Sequence, residues 1–471
     1  MSLGVAGFAL VLLAILLVLA MWVRLKIPIL QKLFLPASLI GGFLALLLGP
    51  EVFGRLVSSL GFSRLESGLF TEEIVNVWAD LPGLLINVVF ACLFIGLSLP
   101  KPKKIWEIGG PQTALGYTIS LALYVVGILL TITVMTPVFD LNPAAGALIE
   151  ISFVGGHGTA AGLQSTFEEL GFSEGYDLAI GLATVAILSG VIIGMALINW
   201  AARKGKTKIL QHPDEISVEQ RSGIIEEENR EGAGLKTTSP MSIEPYALHL
   251  GFIGIAIFIG YIFLEGFIWL EEATYGSSFD VYLFQYVPLF PFAMLGGILL
   301  QLILGRFDSH KLTDRETINR IQGVALDFLI ISAMASLSLQ VIGEHLLPFI
   351  IFAAAGITIN LLLFLYLAPR MIPNYWFERG IGDFGQGVGV AATGIMLIRI
   401  ADSDNKTPAL TGFGYKQILF EPMLGGGLIT SAAVPFIIQF GPIPVLIAVT
   451  LLMIGFWCLG VLYFGQKKEE E

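Results

Sequence analysis

The chain has 471 residues, of which 55% are apolar and only 13% charged, and its mean hydropathy is +0.82. An average soluble domain is about 25% charged, so this composition argues against a soluble fold. With 26 Lys plus Arg against 37 Asp plus Glu, a net charge of −11, the chain is no nucleic-acid binder built on a broad basic surface.

The first apolar run, Leu3 to Val23, contains no charge. About 20 apolar residues span a bilayer, and nothing positive precedes the run, so it reads as a retained transmembrane helix rather than a signal peptide. Further spans are expected near 33–49, 82–100, 108–135, 177–201, 246–270, 283–304, 322–343, 346–368, 416–440 and 443–464, eleven in all. Trp22, Trp78, Trp200 and Trp269 fall near span ends, where interfacial aromatics belong. Cys92 and Cys458 lie in apolar runs as small core residues, with no zinc or disulfide spacing. Two glycine-crowded segments, Pro143 to Leu163 and Gly380 to Ile400, do not look like plain spans.

Residues 203–245 are the one sizeable polar stretch, too short for a core of their own. They read as a cytoplasmic linker between an N-terminal repeat, 1–202, and a C-terminal repeat, 246–440. Residues 441–471 add a span and a charged tail.

Orientation follows from Lys and Arg. With the N-terminus outside, Arg24, Lys26, Lys32, Lys101, Lys103, Lys104 and Arg203 to Lys208 are inside. So are Arg306, Lys311, Arg315, Arg320, Arg370, Arg379, Arg399, Lys406, Lys416, Lys467 and Lys468, and only Arg55 and Arg64 fall outside. The outside is then acidic, through Glu51, Glu72, Glu73, Asp80, Glu168, Glu169, Glu271 and Glu272. The assignment holds only if each glycine-rich segment returns to the side from which it entered. The charges therefore argue for two re-entrant hairpins, near 143–165 and 380–400. Each sits between the fourth and fifth spans of its half, and they enter from opposite sides. That is the pattern of an inverted repeat, frequent among secondary transporters.

Both hairpins contain Gly-x-Gly-x-Ala-Ala, at Gly156 to Ala161 and at Gly387 to Ala392. Backbone polar groups cannot be left bare in hydrocarbon, so a broken helix at membrane depth must be buried in protein or line a wet cavity. Freed amides favour an anion and freed carbonyls a cation such as Na+. Two tips meeting at the midplane make one site for an anionic solute and its coupling ion. The expected substrate-site residues are Ser152, Gly155, Gly156, His157, Gly158, Thr159, Gly385, Gln386, Gly387 and Thr393.

Ser-x-x-Gly-Gly-His-Gly-Thr, at Ser152 to Thr159, resembles the first re-entrant motif of the sodium/glutamate symporters, the ESS family. Leu163 to Phe172 is similar to the segment that follows it there. Phe384-Gly385-Gln386-Gly387 resembles the second motif, and Pro36 to Gly42 matches a motif of the second span. The chain departs from the family pattern at Ala37-Ser38, at Gly389-Val390-Ala391 and at Asp383, where glycine is expected. The resemblance implies sodium-coupled symport of glutamate or a related acid by an elevator-type homodimer in the bacterial cytoplasmic membrane, with Na+ as coupling ion and no cofactor.

Ionisable groups at membrane depth are functional candidates. Glu150, Asp327, Asn360 and Asp383 are the ion-binding candidates; Asp383 belongs to the second motif, and the other three each have a plainer reading. Glu150 would otherwise face water, Asp327 pair with a cytoplasmic base, and Asn360 bond a broken helix. His157 either binds a substrate carboxylate or holds its turn, and Thr159 either offers its hydroxyl to a ligand or caps the hairpin. Arg399 is expected to snorkel to the cytoplasmic interface, and Glu421 to be interfacial. A proton- or sodium-coupled carrier of another di- or hydroxycarboxylate is the alternative, and a channel or receptor the different class. An intramembrane enzyme lacks a visible constellation, since the five histidines are scattered.

Overall fold

The computed structural model describes residues 3–61, 65–97, 100–207, 222–230, 232–276, 278, 281–402 and 405–466. Arg64, Lys208, Lys467 and Lys468, used above to orient the chain, lie outside the described residues. Among the described residues 79% are helical and none is in a strand.

The principal helices are α1 (Leu3–Lys26), α2 (Ala37–Leu48), α3 (Glu72–Ala91), α4 (Pro102–Leu130), α5 (Leu148–Phe153) and α6 (Gly156–Gly162). They continue with α7 (Glu174–Arg203), α8 (Pro245–Glu271), α9 (Leu289–Phe307), α10 (Arg315–Ala335) and α11 (Leu346–Met371). The chain closes with α12 (Trp376–Gly387), α13 (Val390–Ala401), α14 (Ala409–Phe420), α15 (Leu428–Phe440) and α16 (Pro442–Cys458). Among the described residues ten helical stretches are long and apolar enough to cross a membrane.

Ten rather than eleven is a correction. The expected span at 416–440 is two helices, α14 and α15, parted at residues 421–427. Pro422 removes a backbone donor, and Gly425 and Gly426 take φ of +69° and +106°, angles at which an L-residue is strained. The third span also begins earlier than expected, at Glu72, where two acidic residues and a Thr71 N-cap hid a helix start from hydropathy.

The chain divides into two compact units that interleave in sequence. The first comprises Met1–Leu99, Ala161–Thr166 and Val218–Val341, and the second Pro100–Ala160, Phe167–Ser217 and Ile342–Glu471.

In the first unit, Ala9, Leu13 and Leu16 of α1 pack with Trp78, Ile331 and Ala335. Trp78 is fully buried, donates to the Ala9 carbonyl at 3.1 Å and meets Phe70 edge-on. It is therefore a core residue rather than the interfacial anchor expected, whereas Trp22, Trp200 and Trp269 are exposed. Helices α8 and α9 approach through small residues, and a Cβ on Gly296 would overlap the Ala256 carbonyl. The linker returns to this unit at two places. Arg24 donates to the Ser222 carbonyl, and the Leu235 amide donates to the Asp314 N-cap at 3.1 Å.

In the second unit, Phe364 of α11 meets Phe377 edge-on and Phe384 at a tilt, with ring centroids 5.8 and 5.5 Å away, and so seats α12. Helices α12 and α13 run antiparallel in close contact. Gly382 meets Ile398, and a Cβ on Gly385 would come within 2.7 Å of the Gly394 backbone. Chain turns at 154–155 and 388–389 separate α5 from α6 and α12 from α13.

Candidate functional site

The polar groups of the second unit gather at three helix breaks. The first is the α5–α6 turn. Thr159 donates its hydroxyl to the Gly155 carbonyl at 3.1 Å, and in the α12–α13 turn Thr393 does the same to the Gly389 carbonyl. Each threonine thus bonds back to the carbonyl four residues before it, at the start of the helix that follows the break. The two turns share this device but not the register of the Gly-x-Gly-x-Ala-Ala motif, which pairs Gly156 with Gly387. The turns touch each other: Gly156 has φ +70°, and a Cβ there would overlap Cγ1 of Val390, itself at φ +66°.

Three buried polar atoms at these turns have no hydrogen-bond partner among the described residues: Ser152 Oγ, His157 Nδ1 and Asn360 Oδ1. His157 Nε2 lies 2.9 Å from Thr184 Oγ1, and Thr184 spends its hydroxyl proton on the Ile180 carbonyl at 3.0 Å. A neutral His157 therefore carries its proton on Nε2, which leaves Nδ1 as an acceptor. Asn360 donates to the Gly356 carbonyl at 2.8 Å, which turns Oδ1 toward Gly387, where a Cβ would overlap it. Gly158 is buried in α6.

The third break, between α14 and α15, holds the carboxylates. Glu150 is fully buried and accepts from Ser120 at 2.8 Å, Tyr124 at 2.6 Å, Thr430 at 3.1 Å and the Gly425 amide at 3.3 Å. It faces no water, contrary to its plainer reading. Glu421 flanks the same glycine, with Oε2 3.3 Å from where a Gly425 Cβ would lie. It accepts from Gln386 Nε2 at 3.2 Å and is buried rather than interfacial.

From Gln386 the polar chain continues. Lys416 Nζ donates to Gln386 Oε1 at 2.7 Å and to Asp383 Oδ1 at 2.6 Å. Arg379 donates to Gln112 at 3.2 Å and to the Ile108 carbonyl at 2.6 Å. Both cations are buried, although the orientation argument counts them with the charges of the inside face. Arg399 is exposed, as snorkelling requires. Asp327 is half-buried on α10 and belongs to the first unit, so it is not among the groups gathered here.

Sequence reasoning missed Lys416 and Glu421 as site residues, together with Ser120, Tyr124, Gln112 and Thr430. A continuous span at 416–440 put Lys416 at one end and Glu421 one turn in, both close to water. The signal that could have found them was Pro422 followed by Gly425-Gly426-Gly427 inside an apolar run.

Ten apolar helices of spanning length among the described residues, and a buried cluster of charged and polar side chains, define a multi-pass integral membrane protein. The family model described as sodium/glutamate symporter matches residues 5–396, and the chain belongs to that family. Members of this family are transporters, not enzymes, and the family implies a small solute with Na+ as its coupling ion. The match ends before α14, so Lys416, Glu421 and Thr430 lie beyond it. No curated protein matches the chain.

Proposed function

We propose that the protein couples inward movement of Na+ to uptake of a small anionic amino acid, glutamate first, by alternating access. The observation that carries this reading is the pair of buried carboxylates, Glu150 and Glu421, on either side of Gly425. Among the described residues neither makes an ion pair, and the hydroxyls and turn carbonyls around them are oxygen donors suited to Na+. Ser152, His157, Gln386 and the glycines at 155–158 and 385–387 form the substrate side. His157 Nδ1 and Asn360 Oδ1 are both acceptors in want of a donor. That demand suits a substrate ammonium, and it favours an amino acid over a hydroxycarboxylate.

The coupling has an energetic reason. An inside-negative potential opposes entry of a monoanion by about 2.3 kcal/mol per 100 mV, so two or more cations must accompany it for uptake to be driven by the potential. In this reading the two turns are the tips of re-entrant hairpins in an inverted repeat. The repeats are 1–202 and 246–440, joined by the cytoplasmic linker 203–245. The second unit, which holds every group of the site, is the carrier of an elevator-type homodimer in a bacterial cytoplasmic membrane, with the N-terminus outside.

The test is uptake of labelled glutamate by proteoliposomes under an imposed Na+ gradient, with Li+, K+ and a pH gradient as substitutes. Accumulation driven by Na+ is expected. If folded protein accumulates no acidic solute, the reading fails. Uptake of malate in preference to glutamate, or coupling to a pH gradient alone, would replace it with the carboxylate-carrier alternative.

A further inference from the structure

The buried ammonium of Lys416 has the surroundings of a bound monovalent cation. A carboxylate oxygen of Asp383 lies 2.6 Å away and an amide oxygen of Gln386 2.7 Å away. The rings of Phe420 and Phe413 face it, with centroids at 4.5 and 5.1 Å. On the remaining side Gly116 of α4 makes room, for a Cβ there would come within 2.5 Å of Lys416 Cε and 2.7 Å of Nζ. Carboxylate, amide oxygen and two aromatic faces are what a small cation takes once its water is stripped away. The side chain is 1% exposed, and the partner carboxylate 0%. Glu421 is tied to the same cluster through Gln386, and Arg379 is the other buried cation near Asp383. One end of the site's carboxylate array is thus neutralised by the chain itself.

We infer that Lys416 is a tethered cation that fills a monovalent-cation position at Asp383, so that no coupling ion binds there. This rests on the sodium-coupled reading and refines its stoichiometry: Glu150 and Glu421 remain to recruit Na+, and Asp383 does not. A side chain fixed to the protein is not released with the substrate. Each cycle therefore delivers one Na+ fewer than the buried carboxylates could hold.

The experiment is the Na+ to glutamate flux ratio in proteoliposomes, from doubly labelled uptake, for wild type, Lys416→Met and the double variant Asp383→Asn/Lys416→Met. Lys416→Met exposes the Asp383 carboxylate, so the ratio is expected to rise by one Na+, with a steeper dependence of uptake on Na+. In the double variant both charges are gone and the ratio is expected to return to the wild-type value, whatever the rate. An unchanged ratio in Lys416→Met, or a ratio one Na+ lower in the double variant, overturns the inference. If Lys416→Met does not transport, the double variant decides, since it removes both charges of the Lys416–Asp383 pair together. Loss of uptake by folded double variant then counts against the inference. Equilibrium binding of radioactive Na+ to purified Lys416→Met separates this question from the transport reading. One additional ion per protomer supports the tethered cation even if wild type carries no glutamate. No additional ion rejects it even if wild type does.

Discussion

The amide of Gly425 donates to Glu150 Oε1 at 3.3 Å, and so ties the break between α14 and α15 to α5, across 275 residues of sequence. Oε1 takes three donors and Oε2 takes the Tyr124 hydroxyl. Glu150→Gln keeps the shape and removes the charge. Hydrogen bonds to a charged group are worth about 1.5–3 kcal/mol each against about 1 for neutral ones, so the variant is expected to unfold at a lower temperature. It is also expected to lose Na+-driven glutamate accumulation by at least about tenfold, because a 1.4 kcal/mol loss at one ion site is tenfold in affinity. Tyr124→Phe removes one neutral donor and should cost less on both measures. Wild-type accumulation by Glu150→Gln would remove Glu150 from the sodium path.

Gly156→Ala tests the contact of the two turns. The alanine meets two penalties, a φ of +70° and overlap with Val390 Cγ1. The left-handed conformation alone costs an L-residue about 1–2 kcal/mol. Reduced thermal stability and reduced uptake are expected. Gly156→Ala/Val390→Ala should recover part of the loss, since the second change relieves the overlap and leaves the backbone penalty. Equal behaviour of the single and double variants would mean that the turns do not touch as described.

Thr184→Val leaves His157 in place but removes the acceptor that orients it, 2.9 Å from Nε2. A lost hydrogen bond of about 0.5–1.5 kcal/mol corresponds to about 2- to 12-fold in an equilibrium constant. A rise of that size in the KM for glutamate is expected, with a smaller change in kcat. Initial-rate uptake over a range of glutamate concentrations is the measurement. An unchanged KM would show that His157 orientation does not matter to the substrate.

Asp314 lies before the first turn of α10, outside the apolar span, and holds the linker. Burial raises the pKa of its carboxyl, but hydrogen bonds from the Thr317 amide and hydroxyl and the Leu235 amide outweigh this and hold it below the usual 3.8. A lowered folded-state value contributes stability above pH 3.8 that is lost as the pH falls through the folded value. The cap is therefore intact at neutral pH. Asp314→Ala is expected to cost about 0.5–2 kcal/mol and to speed proteolytic cleavage within 222–244. A protease pattern identical to wild type would mean that Asp314 does not hold the linker.

Much of the scaffold was legible because lipid imposes a simple rule on sequence. A helix that crosses hydrocarbon must be apolar over about 20 residues, and among the described residues ten of the eleven expected spans coincide with a helix of that kind. The helix breaks at 154–155 and 388–389 were legible from the glycines crowded around them, since glycine is the residue that most readily leaves helical geometry. The signal failed where polar residues were read by position along a helix rather than by what packs against them. Trp78 lies near an expected span end, yet its indole is sealed between α1 and Phe70.

The sequence by itself determined that the chain is a multi-pass membrane protein and located two of its helix breaks, at 154–155 and 388–389. It also supplied a motif specific enough to suggest its family. Composition and hydropathy act locally, so a linear string carries them whole. Only the tertiary structure decided which charges are buried together. Lys416 and Glu421 looked like groups near water until the α14–α15 break turned them inward, and Glu150 acquired its four donors from α4 and from a break far along the chain. The worth of a buried charge depends on partners that only folding brings within hydrogen-bond reach.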